Sequence, residues 1–153
     1  MTAIGQAPWP TLTWRQREII QLLAQGASMP EAAAEFSLSR STVESYVDRV
    51  KEAFGPRELP ALLHVLYERD VLAPSELTGP SPDLSPEQQA ILRRIAQGES
   101  AARMATELRR PVTDVRRDAR ALLKTLGARN PAHAITRGWA MGLLGTPPEV
   151  RSP

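Results

Sequence analysis

Arg116, Arg117 and Arg120 fall between the apolar residues Val115, Ala119 and Leu122 of a helical pattern, which puts three guanidiniums on the outward side of one predicted helix. Planar cations at this spacing suit anions. Each can displace a counterion from a phosphate or donate a forked pair of hydrogen bonds to a planar acceptor such as the O6 and N7 edge of guanine. Arg109, Arg110 and Thr113 precede these residues and Lys124 and Arg129 follow, so the donor-bearing stretch continues on both sides. Asp114 and Asp118 stand at neighbouring helical positions, and the same arginines would equally suit a solvated, ion-paired face.

Other arrangements that could carry chemistry are weaker. Glu44 and Asp48 lack a nucleophile or a third polar group, so they read as a solvated or partner-facing surface rather than a catalytic pair. His64 and His133 have no ligand types nearby and are expected to be structural. With no cysteine, thiolate metal sites, thiol nucleophiles and disulfide-stapled secreted scaffolds are excluded. No phosphate loop, metal cluster or nucleophile with a base occurs, so the chain is expected not to be an enzyme, with no catalytic residue, metal or cofactor.

The elements that would carry these residues emerge from a repeat. A shift of 72 residues aligns 12–72 with 84–144 without a gap, and about a fifth of positions are identical, among them Gln16 and Gln88, Gly26 and Gly98, Ser28 and Ser100, Val43 and Val115, and Arg57 and Arg129. Residues 73–83 between the copies hold three prolines and a glycine and read as a linker. Fully extended it reaches roughly 35 Å, enough either to keep the copies adjacent or to let them sit one DNA turn apart. Residues 1–11 and 145–153 read as tails too short for a receiver or ligand-binding domain. Charge divides along the same boundary: residues 1–80 hold seven Lys or Arg against ten Asp or Glu, a balance of −3, while 81–153 hold twelve against seven, +5. No signal peptide or long apolar run is present, and a cytoplasmic protein without membrane contact is expected.

Each copy reads as four helices, and the fold class expected is all-α, two tandem four-helix helix-turn-helix domains joined by a Pro-rich linker. Thr13 and Ser85 are N-cap candidates, Gly26 and Gly98 close the first helices, and second helices follow at about 30–36 and 101–108. The third helices carry Val43, Val47, Val50 and Phe54, and Val115, Ala119, Leu122 and Leu126. Leu59, Leu62, Leu63 and Leu66 mark a fourth helix in the first copy, and Ala132, Ile135, Trp139 and Leu143 in the second. Trp14, Phe36, Tyr46, Phe54, Tyr67 and Trp139 sit mostly at core spacing, and packing is expected of them rather than base stacking.

The stretches 12–20, 26–33 and 38–43 resemble the DNA-binding domain of LuxR/GerE-type regulators, and 126–135 is similar to that family's junction into its fourth helix. The resemblance implies that the third helix enters the major groove, with its opening residues touching phosphate and base edges. Those residues are Thr42-Val43-Glu44 in one copy and Asp114-Val115-Arg116 in the other, and the groove-facing positions are Glu44, Ser45 and Asp48 against Arg116, Arg117 and Arg120. Two carboxylates facing a polyanion repel it, so copy two is the expected reader, flanked by Arg109, Arg110, Thr113, Lys124 and Arg129, while Arg40, Ser41 and Thr42 leave copy one at most a weak backbone contact. The family's fourth helix often mediates dimers, which makes Leu62, Leu66, Trp139 and Leu143 candidate interface residues, in a homodimer or an intramolecular pseudo-dimer. The sequence departs from the family in placing Gln16 and Gln88 at an acidic position, Ser37 and Arg109 at the turn glycine and Pro111 at a cap.

Two functions are consistent with this reading. One is a double-stranded DNA-binding transcription regulator in which copy two reads and copy one dimerises or docks. The other is a protein–protein interaction module that keeps the fold and acts on a regulatory partner or the transcription machinery. In a self-inhibited variant, Glu44 and Asp48 would dock on Arg116, Arg117 and Arg120.

Overall fold

The computed structural model describes residues 10–74 and 81–145; positions 1–9 and 146–153 of the predicted tails and 75–80 of the predicted linker lie outside them. Eight α-helices and no strand occur among the described residues: α1 (Trp14–Ala24), α2 (Met29–Phe36), α3 (Arg40–Phe54), α4 (Leu59–Glu68), α5 (Pro86–Ala96), α6 (Ala101–Leu108), α7 (Val112–Leu126) and α8 (Pro131–Ala140). Every helix bound in the first half recurs 72 residues later. No described helix is long and apolar enough to cross a membrane.

Local chemistry explains where the helices begin. Thr13 Oγ1 accepts from the Gln16 amide while the Gln16 side chain accepts from the Thr13 amide, and Ser85 and Gln88 close the same capping box on α5. Glutamine serves here because its side chain, like a carboxylate, offers the oxygen that the box requires. Ser28 and Ser100 cap α2 and α6, and Ser39 caps α3. Pro111 opens α7 without a side-chain cap, and its ring suits a helix start.

The turns repeat as faithfully. Positive φ angles occur at Gly26 and Gly98, Ser37 and Arg109, Gly55 and Gly127, and Asp70 and Gly142, four pairs related by the same shift. Ser37 (φ 56°) and Arg109 (φ 55°) hold the left-handed turn between the second and third helices, a conformation costing a non-glycine residue about 1–2 kcal/mol. Arg17 Nη1 donates to the Val71 carbonyl at 2.8 Å, and at the equivalent positions Gln89 Nε2 donates to the Leu143 carbonyl at 3.0 Å.

One hydrophobic core runs through both halves, formed by Ile19, Leu23, Val43, Val47, Leu62, Leu63 and Leu66 with Ile91, Leu92, Val115, Leu122, Ile135 and Trp139. Helices α4 and α8 pack on each other at its centre, while α1 packs on α8 and α4 on α5. Because α1 corresponds to α5 and α4 to α8, these contacts exchange under the repeat, as in a self-complementary two-fold interface. Tyr67 Oη and Thr136 Oγ1 share a buried 2.8 Å hydrogen bond, and Trp139 Nε1 donates to His64 Nδ1 at 2.9 Å; shifting either pair by the repeat gives the other. Of the two linker geometries, adjacency is the one adopted.

Core spacing misplaces one aromatic residue. Trp14 is 76% exposed because it occupies the first turn of α1, ahead of the stripe formed by Ile19, Ile20 and Leu23.

Candidate nucleic-acid interface

Helices α2 and α3 pack as a helix-turn-helix, as do α6 and α7, and α1 and α4 or α5 and α8 back them. Val43, Val47, Val50 and Phe54 turn one face of α3 into the core, and Val115, Leu122 and Leu126 do the same for α7. The opposite faces are left to solvent.

On α7 that face is basic. Arg116, Arg117, Arg120, Lys124 and Thr113 are exposed, with Arg109 exposed in the preceding turn. Arg110 is tied to Asp118 at 2.7 Å and Arg117 to Asp114 at 3.0 Å, pairs that fix the turn and the first helical turn. Arg109, Arg116, Arg120 and Lys124 have no acidic partner among the described residues. The predicted ion-paired face is therefore realised for two of these cations, and the remaining four present charge outward.

The corresponding face of α3 has the opposite sign. Ser45 and Asp48 are exposed and Glu44 is half-exposed, its carboxylate held at 3.2 Å by Arg40. Ser41 and Thr42 hydroxyls are drawn into the cap, with Ser39 Oγ at 3.1 Å from Ser41 Oγ and 2.8 Å from Thr42 Oγ1. The residues through which the first half could touch a phosphate are thus engaged locally. Helix α3 packs within the first half and α7 within the second; Glu44 pairs with Arg40 and Arg117 with Asp114, not across the halves as direct self-docking requires.

Arg129 lies elsewhere. Its Nη2 reaches both carboxylate oxygens of Glu31 at 3.1 Å, bridging the start of α8 to α2. That pair and the Ser28 cap hold the Glu31 carboxyl below its usual range, the backbone hydrogen bond at Ser28 being the larger cause. Asn130 Nδ2 donates to the Gly26 carbonyl at 2.9 Å and caps α8 through the His133 amide. A side chain at Gly26 (φ 100°) would meet His133 Nδ1 at 3.0 Å, so glycine there serves both the turn and the approach of the halves.

Among the candidate interface residues, Leu62 and Leu66 are fully buried on α4, and Trp139 lies against the rings of His64 and Tyr67 at centroid distances of 5.5 and 6.2 Å. Leu143 follows the end of α8 and receives Gln89 within the second half. Of the junction residues, Thr136 went unrecognised in the sequence, and His64 was expected only to be structural, without its partner. Thr136 is buried and bonded to Tyr67, and His64 accepts from Trp139; the repeat pairs them with each other, but the two residue types are unlike.

Residues 10–66, covering α1 to α3 and most of α4, match the family model GerE, bacterial regulatory proteins of the luxR family. The first half is therefore similar to a luxR-type helix-turn-helix domain. No curated protein and no solved structure matches the chain. The half that matches is the one whose third helix carries Glu44 and Asp48 where the other carries Arg116 and Arg120.

Proposed function

We propose that the chain is a sequence-specific, double-stranded DNA-binding transcription regulator in which residues 84–144 form a second, diverged copy of the matched domain and α7 reads the major groove. The observation that carries this reading is the exposed face of α7, where Arg116 and Arg120 project without a carboxylate partner among the described residues. Arg109 and Lys124 extend it towards flanking phosphates, and Thr113 and the carboxylate-paired Arg117 border it. Arg129, engaged with Glu31, contributes at most a secondary phosphate contact away from this face.

The first half acts chiefly as the second protomer of a built-in dimer. The exchangeable contacts of α4 and α8 give one chain two helix-turn-helix units about a pseudo-two-fold relation, the role a symmetric pair performs for ordinary regulators. Asp48 on α3 opposes a phosphate backbone, so Arg40, Ser41 and Thr42 supply only weak backbone contact. A single chain then recognises an asymmetric site, with one half strongly specified by α7 and the other weakly.

The exposed acidic face of α3 also favours docking of a basic regulatory protein, the second role we assign to this half. Selection of bound sequences from a random duplex library tests the main reading. Enrichment of a site with one constrained half-site is expected; enrichment of a symmetric palindrome contradicts the division of labour, and no enrichment contradicts DNA reading altogether.

A further inference from the structure

The two copies meet at two equivalent junctions, and only one is closed by the chain itself. At Gly26 the facing residues are Asn130, whose side chain donates to the glycine carbonyl, His133 and the Arg129–Glu31 pair. At Gly98 the equivalents are Glu58, Ala61, Arg57 and Arg103. Glu58 has its Cγ 3.7 Å from a Cβ built on Gly98, but a carboxylate only accepts hydrogen bonds and cannot donate to the Gly98 carbonyl as Asn130 does to that of Gly26. Arg57 cannot bridge to Arg103 as Arg129 does to Glu31, because both are cations.

A cavity of about 280 Å³ opens at this second junction, lined by Glu58, Pro60, Gly98, Met104, Val115 and Ala119 among others. Its origin can be traced through the repeat. Met29, Val47 and Leu59 of the first copy are replaced by the smaller Ala101, Ala119 and Pro131, all on the cavity wall, while Met104, Glu99 and Pro60 are larger than their counterparts Ala32, Ala27 and Ala132. The wall is mainly apolar, and its volume lies near the lower end of the ~300–1,000 Å³ typical of small-molecule sites.

Of the two acidic residues there, Glu99 is neutralised by Arg94 at 3.0 Å, whereas Glu58 has no cationic partner among the described residues. The Gly98 carbonyl also receives no donor among the described residues. Arg57 lines a separate cavity on the other side of Glu58, with Val65 and Gln97. Glu58 is exposed at the edge of the cavity and Gly98 is half-buried, so an acidic acceptor and a carbonyl acceptor stand beside an apolar wall, an arrangement that suits a ligand with a donor-rich cationic head and a compact apolar body.

We infer that the junction at Gly98 is a binding site for a small organic amine, its ammonium group held by Glu58 and its apolar body seated against Met104, Val115 and Ala119. Val115 and Ala119 belong to α7, so the occupant touches the back of the arginine-bearing helix.

The test uses the full chain without DNA, so its outcome is independent of the DNA-binding reading. Thermal denaturation and titration calorimetry are run with 2-phenylethylamine as probe and 2-phenylethanol as its neutral counterpart. Saturable binding of the amine that raises the melting temperature is expected, about tenfold weaker for the alcohol and for Glu58→Gln. Ala119→Val, which restores the residue type found at Val47, is expected to remove binding while keeping the helical circular dichroism of the parent. The inference is overturned if the amine gives no saturable signal at millimolar concentration, or if Glu58→Gln or the alcohol binds as tightly as the parent pair.

Discussion

Trp139 Nε1 donates to His64 Nδ1 across the junction of the two halves, and the same two positions, moved by one repeat, are occupied by Tyr67 and Thr136, whose hydroxyls also bond. Hydrogen bonds therefore form at both symmetry-related places although no residue type is retained at either. The junction joins a deep apolar core to two polar clasps, which fixes how the helix-turn-helix units stand relative to each other.

Trp139→Ala is expected to destabilise the whole chain by about 3–5 kcal/mol and to lower a single cooperative transition, because the indole belongs to a core shared by both halves. Chemical denaturation followed by circular dichroism reads this. Two separate transitions in the parent chain would mean that the halves fold as independent units. A double-mutant cycle of Tyr67→Phe and Thr136→Val is expected to show a coupling of roughly 0.5–1.5 kcal/mol.

Residues 81–153 expressed alone expose the faces of α5 and α8 that pack on α4 and α1. This half is expected to be poorly folded by itself and to regain helical structure on mixing with residues 1–80, as read by circular dichroism. A stable, monomeric isolated half contradicts the shared core.

Acidification should loosen the junction. Burial holds His64 below its ordinary pKa of 6.5 against the opposing effect of Glu68, and burial followed by the Arg137 and Arg129 charges lowers His133. Both Nδ1 atoms accept hydrogen bonds, from Trp139 and from the Arg129 amide, a role that protonation ends. The unfolded chain takes up these protons first as pH falls, so the stability contributed by the neutral rings is complete above the unfolded value and declines below it towards the lower folded values. A lower melting temperature is expected at about pH 5.5 than at about pH 7.5, with a smaller difference in His64→Gln, which keeps an acceptor but cannot titrate. Identical profiles for parent and variant would contradict this.

Reversing the acidic reading face probes the built-in dimer. If α3 faces a second half-site, Glu44→Arg with Asp48→Arg should tighten DNA binding and steepen its salt dependence by up to about two in log–log slope. Unchanged affinity and slope would show that α3 faces away from the duplex. Arg129→Ala, which breaks an exposed pair with Glu31, should alter stability by no more than about 1 kcal/mol and DNA affinity less than Arg116→Ala does.

Much of the architecture was legible because it rests on local chemistry. The Thr13 and Ser85 caps and the Val43 to Phe54 stripe act over a few residues, and the helices follow them. The arginine face of α7 was legible for the same reason. The junction was not, since its clasps replace His64 with Thr136 and Tyr67 with Trp139, so comparison for identity passes over them. Arg129 reads as a phosphate contact until folding brings Glu31 beside it, and Trp14 reads as core until its place in the first turn of α1 is known. The cavity at Gly98 is lined mostly by residues that differ from those 72 positions earlier or later, and a search for similarity discards such differences.

The most direct test is the salt dependence of binding to the duplex recovered by selection, comparing the parent chain with Arg116→Ala, Arg120→Ala. The account predicts salt-sensitive binding by the parent, and in the variant a loss of affinity with a slope reduced by up to about 0.9 for each phosphate contact removed. Equal affinity and equal slope in the two proteins would contradict α7 as the reading helix.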